Sequence, residues 1–300
     1  MAGMKFTLPT GAALLMASTL ATGCTVTLDS QSQIVREEKR FTVTGAPDLH
    51  VNTFDGSIRI QSWDRPEVLV EIEKRGPTRE SIEQLEVKTT QNGDRIELEV
   101  KKPRTESFSG IGFHRSASAR LVVSMPRRAT INARSGDGSI NVDGLEGRIQ
   151  LHTGDGSIRA SDVIGELTFD TGDGSITVEG AGGTLDLATG DGSVNVSGKL
   201  TRAKLHTGDG SIVYRAPPGT AMTEDWEITT GDGSVSVYLP NDFAAELDAH
   251  TGDGTIKNDL AVSPEPSGPS ARRTVRGRLG AGGKLLRIRT GDGSIRLRSF

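Results

Sequence analysis

One hexapeptide, Thr-Gly-Asp-Gly-Ser-Ile, returns along most of the chain with small variations, and its spacing restricts the fold to a stack of like units. Counted by its aspartate, it falls at Asp55, Asp137, Asp155, Asp173, Asp191, Asp209, Asp232, Asp253 and Asp292. From Asp137 to Asp209 the copies advance in unbroken steps of 18. A β-propeller blade needs about 40 residues, so a shorter supersecondary unit is repeating.

Side-chain alternation identifies that unit. Three positions after each aspartate stands a β-branched residue, from Ile58 and Ile140 through Val194 to Ile295. Two further on, Ile60, Val142, Val178, Val196, Val237 and Leu297 are again apolar. Upstream, Ile149 with Leu151, Leu167 with Phe169 and Leu185 with Leu187 keep the same two-residue period. Two strands therefore flank each copy. The inward parity changes across the motif, so the chain bends there, and glycine on both sides of the aspartate predicts positive φ at the corner. Only the first copy departs, with Phe54, and an irregular first rung is expected. A second, looser turn falls at Gly144, Gly180 and Gly198. Two strands and two bends predict an all-β fold, a parallel β-solenoid of coils of about 18 residues stacked about 4.8 Å apart.

Residues 1–24 lie outside this pattern. Lys5 precedes an apolar stretch at 11–21, too short to span a membrane, and Thr22-Gly23-Cys24 follows it. This reads as an export signal. Cys24 is the only cysteine, so no intramolecular disulfide forms. Its placement resembles the lipobox of bacterial lipoproteins, although Leu20 stands four residues before the cysteine rather than three. That resemblance implies lipidation at Cys24, and Thr25 after it resembles the sorting pattern for the outer membrane; a plain cleaved signal is the alternative. High glycine and only 4% aromatics suit thin repeated coils, and a net charge of −4 gives no reason to expect nucleic acid.

Four regions are expected: the leader at 1–24, a polar tether at 25–40, an N-terminal β region and cap at 41–130, and the repetitive solenoid at 131–300. Within the second region from the start of the motif, 68–72, 85–87 and 96–100 read as strands, 91–94 as a hairpin turn and 81–85 as one helical turn. Antiparallel strands there would protect the first edge of the stack. Residues 101–120 read as a loop leading into a strand at 119–126. After Asp209 the step loosens to 23 and then 21, with extra residues at the turns around Pro217 and Pro240. Residues 263–270 read as a surface loop, and the coil at 285–297 as the last of the stack.

The repeated hexapeptide, the lead-ins ending at Pro126 and Pro240, and the closing stretch at 282–295 together resemble a family of bacterial β-strand-repeat domains labelled adhesins, here in lipoprotein form. The resemblance covers about residues 41–300. It implies a β-helix-like fold and a place in the cell envelope.

Several residues are candidates for chemistry. Stacking puts the motif aspartates in a column, about 5 Å apart, where neighbouring charges repel by roughly 1 kcal/mol in water-like surroundings. The carboxylates are expected to accept backbone N–H bonds in Asx-type turns, with one side in water. A row of Ca²⁺ ions is the sharper alternative, although the calcium-binding Gly-Gly-x-Gly-x-Asp pattern is lacking. No other cofactor is expected. His152, His206 and His250 share one register but fall in separate coils, too far apart for zinc. The motif threonines read as a hydroxyl ladder, with no base beside each to make a nucleophile. A β-helical lyase or hydrolase would need distinct carboxylates in a cleft with aromatic subsites, whereas here one structural position is repeated, so no enzyme is expected. From 272 to 300 stand Arg272, Arg273, Arg276, Arg278, Lys284, Arg287, Arg289, Arg296 and Arg298 against Asp292 alone. They either protect the last edge or contact an anionic lipid or polysaccharide surface.

Together these features predict a non-catalytic, lipid-anchored envelope protein presenting a repetitive surface for adhesion. Its partners would be the membrane, through the anchor, and an envelope polysaccharide or another surface protein. A self-assembling scaffold and a calcium- or carbohydrate-binding repeat protein are the alternatives.

Overall fold

The computed structural model describes residues 25–29, 32–101, 117–264 and 273–299. The leader with Cys24, most of the 101–120 segment and Arg272 lie outside the described residues.

Alternating apolar residues make almost every described segment a strand. In chain order, β1 (Thr25–Asp29) and β2 (Ser32–Thr42) precede β3 (Asp48–Thr53) and β4 (Ile58–Trp63), which flank the first motif copy. Next come β5 (Glu67–Gly76), a short helix α1 (Arg79–Glu83), β6 (Glu86–Asn92), β7 (Arg95–Lys101) and β8 (Ser118–Pro126). The regular repeat supplies β9 (Arg128–Ser135), β10 (Ile140–Asp143), β11 (Glu146–Thr153), β12 (Ile158–Ser161) and β13 (Ile164–Thr171). Two long strands, β14 (Ile176–Thr189) and β15 (Val194–Thr207), then pass through the looser turn without a break. The chain continues with β16 (Ile212–Arg215), β17 (Trp226–Thr230), β18 (Val235–Leu239), β19 (Ala245–Thr251) and β20 (Ile256–Asn258). It ends with β21 (Val262–Pro264), β22 (Thr274–Leu279), β23 (Leu285–Thr290) and β24 (Ile295–Ser299).

Each motif copy joins a leading strand to a trailing strand. Trailing strands pair in parallel, so that Ile140 lies between Ile58 and Ile158, and Ile158 beside Ile176. Leading strands do the same, with Ile149 between Ile131 and Leu167. All of these side chains are buried, and each removes about 1.5–3 kcal/mol of apolar exposure from water. The core also holds three aromatic rings: Trp226 packs against Tyr214 (centroids 5.2 Å apart) and Phe243 (5.4 Å). The Tyr214 hydroxyl donates to Gly198 O (2.9 Å), and burial pushes its phenol pKa up.

Spatial order departs from chain order at both ends. The coil β3–β4 lies between β7–β8 and β9–β10. The coil β23–β24 lies between β17–β18 and β19–β20. The sequence expectation for 285–297 is therefore corrected: the coil at Asp253 stands outside it. That outer coil is suited to an end, because Ile256 is only half-buried and Asn258 takes the inward register beside Leu297. Beyond β19, β22 and then β21 continue antiparallel, so part of the expected 263–270 loop is strand.

At the other end β8, β5, β2 and β1 pair antiparallel in that order. Residues expected to be a tether are thus strands. β2 matches β5 from Gln33 opposite Gly76 to Thr42 opposite Glu67, satisfying the backbone groups of a strand that would otherwise be an edge. The hairpin at 91–94 joins β6 to β7, with Gly93 at φ 60°. The helical turn starts two residues earlier than expected, where Thr78 caps it by accepting from Ser81 N.

Candidate functional site

The motif corner is the structure's repeated feature, and its glycines are required for a different reason from the one alternation suggests. Of the glycines beside the motif aspartates, only Gly56 has positive φ, at 131°. The others sit hard against the coil before them. A Cβ on Gly156 would stand 2.2 Å from Gly138 O, and one on Gly174 2.0 Å from Gly156 O. The looser turns do use the left-handed region, at Gly144 (φ 70°) and Gly180 (φ 68°), with Asp162 (φ 51°) at the corresponding place between them. Gly136 stacks on the carbonyl of Phe54, and in the first copy a Cβ on Gly56 would stand 1.9 Å from Ala119 O of β8.

The motif threonines are buried and close the corner from inside. Thr171 Oγ1 donates to Gly154 O (3.1 Å) and Gly156 O (2.9 Å) of the preceding coil, and Thr153, Thr189, Thr207, Thr230, Thr251 and Thr290 repeat the arrangement. In the corners of Thr207, Thr230, Thr251 and Thr290 the same hydroxyl accepts from a glycine N–H. These hydroxyls are buried structural groups whose protons are committed to backbone carbonyls.

The aspartates project outward. Asp137, Asp155, Asp173, Asp191, Asp209, Asp232, Asp253 and Asp292 are exposed and Asp55 is half-buried. The expected Asx-type bonds are absent among the described residues: Asp253 alone is held, by Arg273 at 2.9 Å. The straight stacking of the corners aims each carboxylate along the column, so that Asp173 Oδ1 lies 3.4 Å from where a Cβ on Gly190 would be. Among the described residues no three His, Cys, Asp or Glu side chains are grouped to hold a metal ion.

The histidine column is split by register. Asp170 and Ala188 separate His152 from His206, and Thr229 and Arg289 separate His206 from His250. Each finds a local partner instead: Asp170 for His152 (2.6 Å), Thr229 for His206 (2.9 Å) and Thr274 for His250 (2.9 Å).

The basic run near the C-terminus does not form one patch. Arg276, Arg278, Arg287 and Arg289 lie with the leading strands, and Arg296 and Arg298 with the trailing ones. Arg276 and Arg289 both bind Asp248, Arg276 at 3.1 Å, and Arg298 reaches Asp259 at 4.0 Å. Burial raises the Asp248 carboxyl pKa, but the hydrogen bonds from the two arginines outweigh it and hold the group below the usual carboxylate range. Glu73 behaves alike at the other end, with burial overcome by Arg36 and Arg75.

The two outer faces differ in charge. The leading face is mixed, with Asp48, Glu97, Asp170, Asp186 and Asp248 all engaged by neighbouring cations or histidine. The trailing face carries Arg59, Asn141, Arg159, Thr177 and Asn195 along one column. These positions are not among the candidates singled out from the sequence. Aligning the motif copies and reading down the fourth place after each aspartate would have shown the column.

A model of the family described as Toastrack DUF4097 matches residues 46–298. No curated protein matches the chain. Among solved structures, a "putative lipid binding protein" from Parabacteroides distasonis is 12% identical, with 87% of this chain and 96% of that one covered and a TM-score of 0.47. A "putative adhesin" from Bacteroides fragilis is 11% identical over 87% and 96%, with a TM-score of 0.44. A "putative cell adhesion protein" from Clostridium sporogenes is 14% identical over 88% and 99%, with a TM-score of 0.30.

Proposed function

The chain belongs to the Toastrack DUF4097 family, and from that premise we propose that it is a non-catalytic, lipid-anchored protein of the cell envelope that presents a repetitive surface for adhesion. The in-register stacking carries this reading. Equivalent outward side chains of successive coils fall in straight columns, while the threonine hydroxyls are buried inside the corner with their protons given to backbone carbonyls. Such a surface suits recognition of another repetitive molecule. The coil of about 18 residues is the unit of presentation, and β1, β2, β5 and β6 form the cap that shields the N-terminal edge.

Anchoring is assigned to Cys24, and with it an outer-membrane location. Mass spectrometry of the mature N-terminus should find a diacylglyceryl group on Cys24, and Cys24→Ala should release the protein from the membrane fraction. An unmodified N-terminus in membrane-free protein would remove this part of the proposal.

Adhesion is tested by measuring binding of the full chain to envelope polysaccharides and to anionic vesicles, at two salt concentrations and with or without Ca²⁺, alongside sedimentation. Saturable binding by a monomer is expected. Calcium-dependent binding would place the aspartate column in the interaction. Absence of binding with oligomers that grow with concentration would replace adhesion by a scaffold role.

A further inference from the structure

The trailing face carries a group of cations that the structural pairing of the rest of the surface does not use. Arg59 on β4, Arg120 on β8 and Arg159 on β12 are all exposed and line one 340 Å³ groove with Ser57, Asn141 and Ser161. Among the described residues none of the three arginines has a hydrogen-bond or ion-pair partner, although more than a dozen other basic residues do. Asp143 is the single carboxylate lining the groove.

Register fixes their spacing. Arg59 and Arg159 flank Asn141 in one column, so the two guanidiniums are two coil steps apart, about 9.6 Å. Arg120 stands beside Ser57, one row nearer the corner. From Arg159 the column continues through Thr177, Asn195, Val213 and Ser236 to Arg296 beside Lys257 without meeting a carboxylate, and on the other side of Arg59 it passes Val122 to Glu71.

Resting on the surface-binding reading above, we propose that the trailing face is a binding lane for a linear acidic polysaccharide, seated at Arg59, Arg120 and Arg159. Unpaired guanidiniums offer two-pronged hydrogen bonds to carboxylate or sulfate groups. The amide of Asn141 lies between Arg59 and Arg159, and the hydroxyls of Ser57 and Ser161 line the same groove, where a sugar's neutral hydroxyls need partners. The column runs along the stack axis, and a chain lying on it meets a side-chain donor at each coil from Arg59 through Asn141, Arg159 and Thr177 to Asn195. A bilayer surface would require none of the interleaved amides and hydroxyls, and the one large apolar side chain exposed among the described residues, Ile164, is on a leading strand. Aromatic platforms of the kind that stack nucleic-acid bases do not occur along this column.

The test compares binding of the full chain to polygalacturonate, neutral dextran and phosphatidylglycerol vesicles. Two double variants are matched in charge: Arg59→Ser/Arg159→Ser on the lane and Arg134→Ser/Arg287→Ser on the leading face. Both change exposed residues, and unchanged thermal unfolding confirms that they fold. Polygalacturonate should bind and dextran should not; the lane variant should weaken binding about tenfold and lower the salt dependence by about two units of slope, while the leading-face variant leaves both unchanged. Polygalacturonate binding that both variants weaken equally, or neither weakens, overturns the lane and leaves the adhesion reading standing. Vesicle binding without polysaccharide binding, lost in the lane variant, overturns the ligand class. Failure to bind any probe while oligomers grow overturns the lane and the adhesion reading together.

Discussion

At the scale of single residues, the corner glycines answer to contact between coils. Gly174 has no room for a methyl group, because its neighbour is a backbone carbonyl that cannot swing away. Gly174→Ala should therefore destabilise the protein by about 3 kcal/mol, in the range of severe overpacking, as measured by denaturant unfolding. Gly93→Ala makes the contrast: φ is 60° there but nothing lies within 4 Å, so a cost of about 1 kcal/mol is expected. Equal costs at the two sites would contradict the contact explanation. Thr171→Val keeps the shape but leaves Gly154 O and Gly156 O without their side-chain donor, and should cost about 1–3 kcal/mol. The positions of these residues were legible in the sequence because the motif marks them. Their cause was not, since a carbonyl 18 residues away is invisible within one copy. Gly56 shows the same limit: the carbonyl against it is that of Ala119 on β8, which no spacing of the motif announces.

At the scale of elements, alternation made the strands legible, and pairing was legible wherever neighbours in space are neighbours in sequence. The step of 18 gave no access to the places where they are not. Asp248 is the clearest instance, since its partners Arg276 and Arg289 come from β22 and β23, which sit on either side of β19. The run of basic residues reads as edge protection or as an anionic-surface contact; the fold distributes it over two faces and uses part of it as a clamp. Because the Asp248 carboxyl is held below its ordinary value, its stabilising contribution is complete at neutral pH and disappears as pH falls through the folded-state pKa. Asp248→Asn should therefore lower stability by about 2 kcal/mol at pH 7, with the gap to the parent protein closing on acidification. A gap that stays constant from neutral to acidic pH would show that the charge is not what holds the three strands.

At the scale of the molecule, the chain inserts its last coil between two that precede it, and this makes the C-terminal third depend on the final residues of the sequence. Among the described residues, β23 and β24 are the only strands that join β17 and β18 to β19 and β20 through the parallel ladders. In a stack of coils, stability is a sum of coil terms and nearest-neighbour interfaces, so removing an inner coil deletes two interfaces where removing an outer coil deletes one. Truncation after Gly280 leaves the inner surfaces of both neighbours without a partner. Hydrogen exchange should then show loss of protection across 256–258, whose ladder partner is β24, and weakened protection across 226–239 and 245–251, where β22 still pairs with β19, while 128–207 remains protected by its own unbroken ladder. Protection that persists at 256–258 would mean that this coil docks directly on β17 and β18. The motif corner is alike in both coils, and Gly252 could stack on Gly231 as Gly291 now does. The order seen here would in that case be one of two accessible registers, selected by the clamp at Asp248 rather than by the repeat itself.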